Sequence, residues 1–348
     1  MKMERCLRML RQMVEIPSPS GQEGEVAAFL VREMADLGFR SWVDEAGNAV
    51  GELGDGPQEV LLLGHMDTVP GVIPVRIADG ALYGRGSVDA KGPLATFICA
   101  AARAGAMAGK RWVVVGAVEE EAASSRGARH VLSRRQPSAV VIGEPSGWDR
   151  ITVGYKGRLL CEYRLRRPMR HTAAPENGVC ESVVDFWLAV HDYAAEYNEA
   201  KSSRIETLDA TLRSVNSSDD GLTQQVEATV ALRLPLGLRP ATVREAIERL
   251  PAPEAELCFH GEEPAFRAPK STRLVAVLLS AIRATGGQPA FSFKTGTSDM
   301  NVVGPVWKCP IVAYGPGDSL LDHTPNEHLE LSEYEKAIAV LARALCEV

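Results

Sequence analysis

Three short apolar runs, at 60–63, 112–118 and 139–142, each lead into side chains that ionise or bind metals. His65 follows the first, Glu119, Glu120 and Glu121 follow the second, and Glu144 follows the third. Apolar runs of this length without alternation read as strands buried on both faces. Helical patterns at 93–106 and 126–133 separate them. Strands and helices in alternation predict an α/β layered domain on a largely buried sheet. Ligands of such sheets bind beyond the carboxyl ends of the strands, which is where these charges fall.

The first run delivers His65 and Asp67, two residues apart and so on one side of the strand. A carboxylate behind an imidazole fixes its tautomer and raises its basicity as a ligand. The plainer reading is a polar loop in which His65 is only hydrogen-bonded. Gly84, Gly86 and Gly92 free the backbone around Asp89, a carboxylate whose two oxygens can bridge two cations. The glycine–lysine order of a phosphate loop is absent there. Three consecutive acids repel one another unless something positive sits among them. On a surface helix such a run is ordinarily just solvated, but here it stands at the mouth of a buried strand. Glu144 ends its strand alone, and Asp322 and His323 follow a glycine-rich turn late in the chain. Imidazoles mixed with carboxylates suit zinc, cobalt or manganese rather than calcium.

After Glu144 the pattern changes. Residues 151–165 alternate apolar with basic, as a one-sided strand does. A helix at 181–197, strands at 205–213 and 224–234, a helix at 241–250 and a strand at 256–260 follow. This order predicts a small α+β, ferredoxin-like domain over 152–265, inserted into a discontinuous domain of 1–151 and 266–348. The outer domain opens with two helical stripes (Leu7, Leu10, Val14; Val26, Phe29, Leu30, Met34) around a turn at Pro17 and Pro19. It resumes with a helix at 271–285 and strands at 291–293 and 310–313, and it closes with a helix at 333–346.

A net charge of −7 gives no basic character for nucleic acid. The start of the chain lacks an apolar signal-peptide core, and the longest weakly polar run, 94–102, is too short to span a bilayer. Seven scattered cysteines without a CxxC pair argue against a disulfide framework or a cysteine zinc knuckle. A cytoplasmic protein with neither nucleic-acid nor membrane partners is expected.

Over essentially its full length the chain resembles the M20 family of metallopeptidases and deacylases. The resemblance rests on His65-Met66-Asp67, the segment Gly86-Ser87-Val88-Asp89-Ala90-Lys91-Gly92, the acidic triplet, Gly143-Glu144-Pro145 and His323. It implies a zinc-peptidase-like catalytic domain on a mixed sheet, a lid and dimerisation domain at the insert, a homodimer, and hydrolysis of a linear amide bond. It further implies two divalent ions, zinc or alternatively cobalt, with Asp89 bridging them. His65 and Glu144 would complete one site, and Glu121 and His323 the other. Glu120 would be the general base and Asp67 the carboxylate behind His65. The family usually shows one acid pair, so Glu119 and Glu120 stay open as an alternative base and ligand. His328 rivals His323, which is preferred because Asn326 and Glu327 follow it. In the lid, Arg170-His171-Thr172 resembles a segment whose histidine reaches an active site, implying an oxyanion-stabilising role for His171. The other reading is a turn histidine before Pro175. Residues 231–235 resemble a motif that normally begins with Asp; Ala231 departs from it, which puts a substrate role for Arg233 in question. Residues 295–299 resemble a substrate-side loop.

Residues 119–129 resemble a compact branch of the family that releases lysine or ornithine from a small acidic amino-group carrier protein, the LysW type, in lysine and arginine biosynthesis. Between positions 150 and 170 stand Arg150, Lys156, Arg158, Arg164, Arg166, Arg167 and Arg170 against one acid, Glu162. Such a strip would steer an acidic protein substrate, or guard an edge strand against aggregation. The alternatives are a small-molecule deacylase of the acetylornithine or succinyl-diaminopimelate type, and a binding protein that has lost catalysis.

Overall fold

The computed structural model describes residues 2–171, 175 and 177–348. They form two compact units. One takes the chain up to Gly154 together with Ala268–Phe293 and Ser298–Val348; the other takes Tyr155–Arg267 with Lys294–Thr297. The short return segment Lys294–Thr297 is not foreseen by an insert of 152–265. The stretch expected as one strand at 151–165 is two, Arg150–Tyr155 and Gly157–Pro168. They part at Lys156, whose buried ammonium turns to Thr207 and Asp209.

In the first unit, seven strands lie side by side in the order Arg40–Val43, Ala49–Leu53, Lys110–Ala117, Gln58–His65, Ala139–Gly143, Ile311–Ala313 and Arg150–Tyr155. The centre is parallel, with Gln58–His65 between Lys110–Ala117 and Ala139–Gly143. The edge hairpin Arg40–Val43 and Ala49–Leu53 is antiparallel, so the sheet is mixed. Leu61, Leu62 and Leu63 are fully buried, each stabilising the fold by roughly 2 kcal/mol. Helix Lys91–Ala104 is buried from Lys91 through Ala101 because it lies between the sheet and the final helix Leu331–Glu347. Its close approach depends on a row of glycines. Gly64 is level with Gly116 and with Gly143 on the flanking strands. A Cβ at Gly143 would lie 3.0 Å from the Phe97 ring, and one at Gly116 would lie 3.1 Å from Leu94. Two strands therefore go bare immediately before their ionisable residues and the third goes bare three residues before Glu119, and the helix that follows Asp89 settles into the gap.

Two features of this unit have no clear sequence signal. Helix Asp299–Trp307 contains Gly304 and Pro305, which interrupt the helical pattern; it is started by a capping box of Ser298 and Asn301. A small sheet joins Arg76–Ala78 and Ala81–Tyr83 to His328–Glu330, elements far apart in the chain.

The second unit is a four-stranded antiparallel sheet in the order Asp209–Asp219, Thr223–Leu234, Gly157–Pro168, Glu256–Glu263. Helices Val179–Asn198 and Pro240–Glu248 cover the face that carries Leu159, Cys161, Tyr163 and Leu165. That is the ferredoxin-like strand order. The strand expected at 205–213 runs Asp209–Asp219, because pairing with Thr223–Leu234 sets its extent, across an irregularity at Arg213. Among the described residues no helix is long and apolar enough to cross a membrane.

Candidate metal centre

The three central parallel strands end at one level. His65 closes Gln58–His65; Lys110–Ala117 passes through Val118 to the acidic triplet; Ala139–Gly143 hands over to Glu144. Asp89 enters two residues before helix Lys91–Ala104, and His323 comes from the late loop with a left-handed φ of 61°. Asp89 stands between the two histidines. Its Oδ1 is 3.2 Å from Nε2 of His65, and its Oδ2 is 2.9 Å from Nε2 of His323. Nε2 of His323 is also 2.9 Å from Oε1 of Glu121, and Nε2 of His65 is 3.9 Å from Oε2 of Glu120. One potential ligand atom each from His65, Asp89 and Glu121 lie within 4.8 Å of one another, and so do those from His65, Glu120 and Glu144.

Five carboxylates, Asp67, Asp89, Glu120, Glu121 and Glu144, thus converge on two imidazoles, and the protonation of the site reflects it. Burial opposes a charge on His65, yet Glu120, Asp67 and Asp89 together hold it well above the ordinary histidine value. Hydrogen bonds to Asp89 and Glu121 raise His323 to about 10. Burial lifts Glu120 well above the usual carboxylate range, and Glu144, Asp299 and Glu121 add to that against the pull of His65. Glu121 is raised by burial and by Asp89. Against its own burial, Asp89 is held far down by its hydrogen bonds to His323 and His65. Lys91 does not balance the excess. Its ammonium donates to the Ile16 carbonyl at 2.6 Å, and burial lowers its pKa to about 7.

A second tier of buried groups fixes the loops. The expected support of His65 by Asp67 takes a different form: Nδ1 faces the Asp67 backbone carbonyl at 3.0 Å, with the carboxylate at 3.5 Å. That carboxylate mainly holds the acidic loop, accepting the backbone N–H groups of Glu120 and Glu121 at 3.1 Å each and the Ser20 hydroxyl at 2.7 Å. Glu23 accepts the N–H of Glu119 at 3.1 Å. The three acids consequently separate. Glu119, at a left-handed φ of 57°, turns to Ser124 and Arg126, while Glu120 and Glu121 face the histidines. Glu327 accepts the N–H groups of Val88 and Asp89 at 3.0 and 3.1 Å and pairs with Arg85 at 2.7 Å.

An excess of buried negative charge, with imidazole nitrogen and carboxylate oxygen as donors and one carboxylate shared by two histidines, fits divalent ions with mixed N and O ligands. The model for peptidase family M20/M25/M40 matches residues 61–347. The chain belongs to that family. Like other M20 members it is a metal-dependent hydrolase of amide bonds. It is 51% identical to the [LysW]-lysine hydrolase of Deinococcus radiodurans, over 97% of this chain and 95% of that one. To the [LysW]-lysine/[LysW]-ornithine hydrolase of Saccharolobus solfataricus it is 27% identical, over 95% and 92%. An M20 family metallo-carboxypeptidase from Sulfolobus solfataricus has the same fold, with a TM-score of 0.81 at 18% identity and 98% coverage of both chains.

Not every residue singled out in this M20 sequence joins the cluster. His171 belongs to the second unit and is solvent-exposed; Thr172 beside it lies outside the described residues. His328 stacks on Tyr83 with ring centroids 4.7 Å apart instead of meeting the carboxylates. Arg233 donates to Thr297 at 2.6 Å within the second unit. The basic strip does not form one surface. Arg150 belongs to the first unit, and Lys156 and Arg167 are buried. Arg167 is bound by Glu254, Ser182 and two carbonyls. Arg164, Arg166 and Arg170 are the exposed remainder, and Arg164 lies 3.7 Å from Glu227. Along Gly157–Pro168 strand alternation puts Arg158, Arg164 and Arg166 on one face and turns Arg167 to the other, buried one. Ser20 and Glu23 are supports that reading the sequence missed, their signal a small polar turn between two helices; Glu327 served there only to single out His323, and its support of the loop was not read.

Proposed function

We propose that the protein releases lysine, ornithine or both from the γ-carboxyl of a glutamate on an acidic amino-group carrier protein of the LysW type, serving lysine or arginine biosynthesis in the cytoplasm. The observation that carries this reading is the 51% identity to a [LysW]-lysine hydrolase along almost the whole of both chains. We assign Asp89 as the bridge between two ions, zinc or alternatively cobalt, with His65 and Glu144 on one and Glu121 and His323 on the other. The contacts of Asp89 with both histidines support this. Held by these residues, divalent ions would supply a water of lowered pKa and a Lewis acid for the amide carbonyl.

Glu120 accepts a proton from the attacking water and passes it to the departing amide nitrogen. Its burial, which lifts the carboxyl above the usual carboxylate range, and its place beside His65 support that role. Asp67 keeps Glu120 and Glu121 in register by holding their two amides. His171 is assigned to the developing oxyanion, where one donor is worth roughly 3 kcal/mol. The homodimer expected of the family belongs to the same reading.

The test is to load the protein with zinc and assay amino-acid release from a carrier whose glutamate bears γ-linked lysine or ornithine, with acetylornithine and succinyl-diaminopimelate alongside. Lysine or ornithine release from the carrier alone supports the proposal. Turnover of only the small acyl substrates overturns it.

A further inference from the structure

The geometry points to Glu327 as a positioning residue that sets the bridging carboxylate of Asp89. Glu327 is fully buried, and a single oxygen, Oε1, accepts two consecutive amides, Val88 N–H at 3.0 Å and Asp89 N–H at 3.1 Å. Its other oxygen is 2.7 Å from Nη1 of Arg85, which is itself mostly buried and follows Gly84 on the same loop. The backbone of Asp89 is therefore tied from behind while its side chain faces His65 and His323 in front. Asp67 does the same for the opposite loop, where its carboxylate accepts the consecutive amides of Glu120 and Glu121. Two loops that carry inward-facing acids thus each hang from one buried carboxylate.

A charged acceptor on a backbone N–H makes a shorter and stronger bond than a neutral one, and buried without its partners it would be costly, so Glu327 and the 85–89 loop hold one another in place. Glu327 also reaches the loop from the far side of the sequence, four residues past His323, so it fixes the spacing between the segments that bring Asp89 and His323 together. Side chains that orient ligands from behind change metal affinity or activity by about 10- to 100-fold when removed.

This inference rests on the reading of Asp89 as a metal ligand, and the experiment separates the two. Wild type, Glu327→Ala, Glu327→Gln and Asp89→Asn are stripped with a chelator and titrated with Co2+. Binding is read by chelator competition, the visible absorption of the bound cobalt reports its coordination, and circular dichroism reports folding. Glu327→Ala is expected to weaken cobalt binding by about 10- to 100-fold and to change the visible spectrum of the loaded, folded protein. Glu327→Gln, which keeps an acceptor oxygen but not the charge, is expected to lose less. If Glu327→Ala does not fold, Glu327→Gln decides: wild-type affinity and spectrum would overturn the proposal. Normal cobalt binding by Asp89→Asn would sink the ligand assignment itself. Impaired binding by Asp89→Asn with normal binding by both Glu327 variants would leave that assignment standing and remove only the positioning role.

Discussion

The two units of the chain bury charge in opposite ways. In the first, Asp67, Asp89, Glu120, Glu121 and Glu144 crowd around His65 and His323, and the histidines are driven up in pKa without balancing them. In the second, each buried cation has its match. Lys156 meets Asp209 at 2.7 Å and two oxygens of Thr207, and Arg167 meets Glu254 and three further oxygens. Buried ions matched within the protein are scaffold, whereas a buried excess of one sign marks a place for something the chain does not itself supply. The contrast puts the unmatched buried charge in the first unit and gives Lys156 and Arg167 of the second a structural account.

The largest effect that would sharpen this comparison is on the reaction itself. Glu120→Gln is expected to lower kcat by about 100- to 10,000-fold while both ions stay bound, as measured by turnover and metal analysis of the same sample. Loss of the ions together with activity would instead make Glu120 a ligand.

Next in size is the pH dependence of ion binding. In protein stripped of its ions, the contacts of His323 with Asp89 and Glu121 stabilise the fold fully below the unfolded histidine pKa of about 6.5. That contribution fades as pH rises through about 10. A metal takes only the neutral imidazole, so between these limits binding must displace the His323 proton. Apparent affinity should therefore rise about tenfold per pH unit for each proton released. Calorimetry in buffers of different ionisation enthalpy should find at least one proton released at pH 7.5. Finding none would contradict the placement of His323 on an ion.

The second unit offers the converse test. Arg167→Met should destabilise the fold by about 2–3 kcal/mol, seen as a lower denaturation midpoint, because it removes the charged hydrogen bonds that the buried guanidinium makes to Glu254, Ser182 and the carbonyls of Asn177 and Pro253. Turnover of the folded fraction should stay within about threefold. A large fall in kcat would give the matched cations of this unit a catalytic part and break the contrast.

The smallest effect concerns the exposed remainder of the strip. If the carrier is steered by Arg166 and Arg170, then replacing both with Gln should raise KM for the carrier-linked substrate a few-fold at low salt, leave kcat unchanged, and vanish at high ionic strength. A salt-independent KM would dismiss that strip as a docking aid.

Much of the site was legible because strand ends are a local property. An apolar run that stops at Gly64-His65 or Gly143-Glu144 announces both the strand and what it presents, and the family resemblance supplied the pairing of distant segments. The bare facts of charge and periodicity could not say which of Glu119, Glu120 and Glu121 turns outward. That depends on the peptide N–H groups held by Asp67 and Glu23, bonds that span more than fifty residues. Nor could they separate surface arginines from buried ones between 150 and 170, since an alternating pattern fixes two faces but not which is covered.

By itself, then, the sequence determined the layered α/β domain, the inserted α+β unit and the list of ionisable residues at the strand ends, because these follow from hydrophobic period and local chain stiffness. Tertiary structure alone decided three things: which oxygen of Asp89 meets each histidine, that Asp67 and Glu327 each suspend a loop by two amides, and that Arg167 is buried while Arg166 is not. Those are matters of which atoms meet after distant segments pack. Hydrogen bonds and charge pairs act over a few ångströms in space, whatever the distance along the chain.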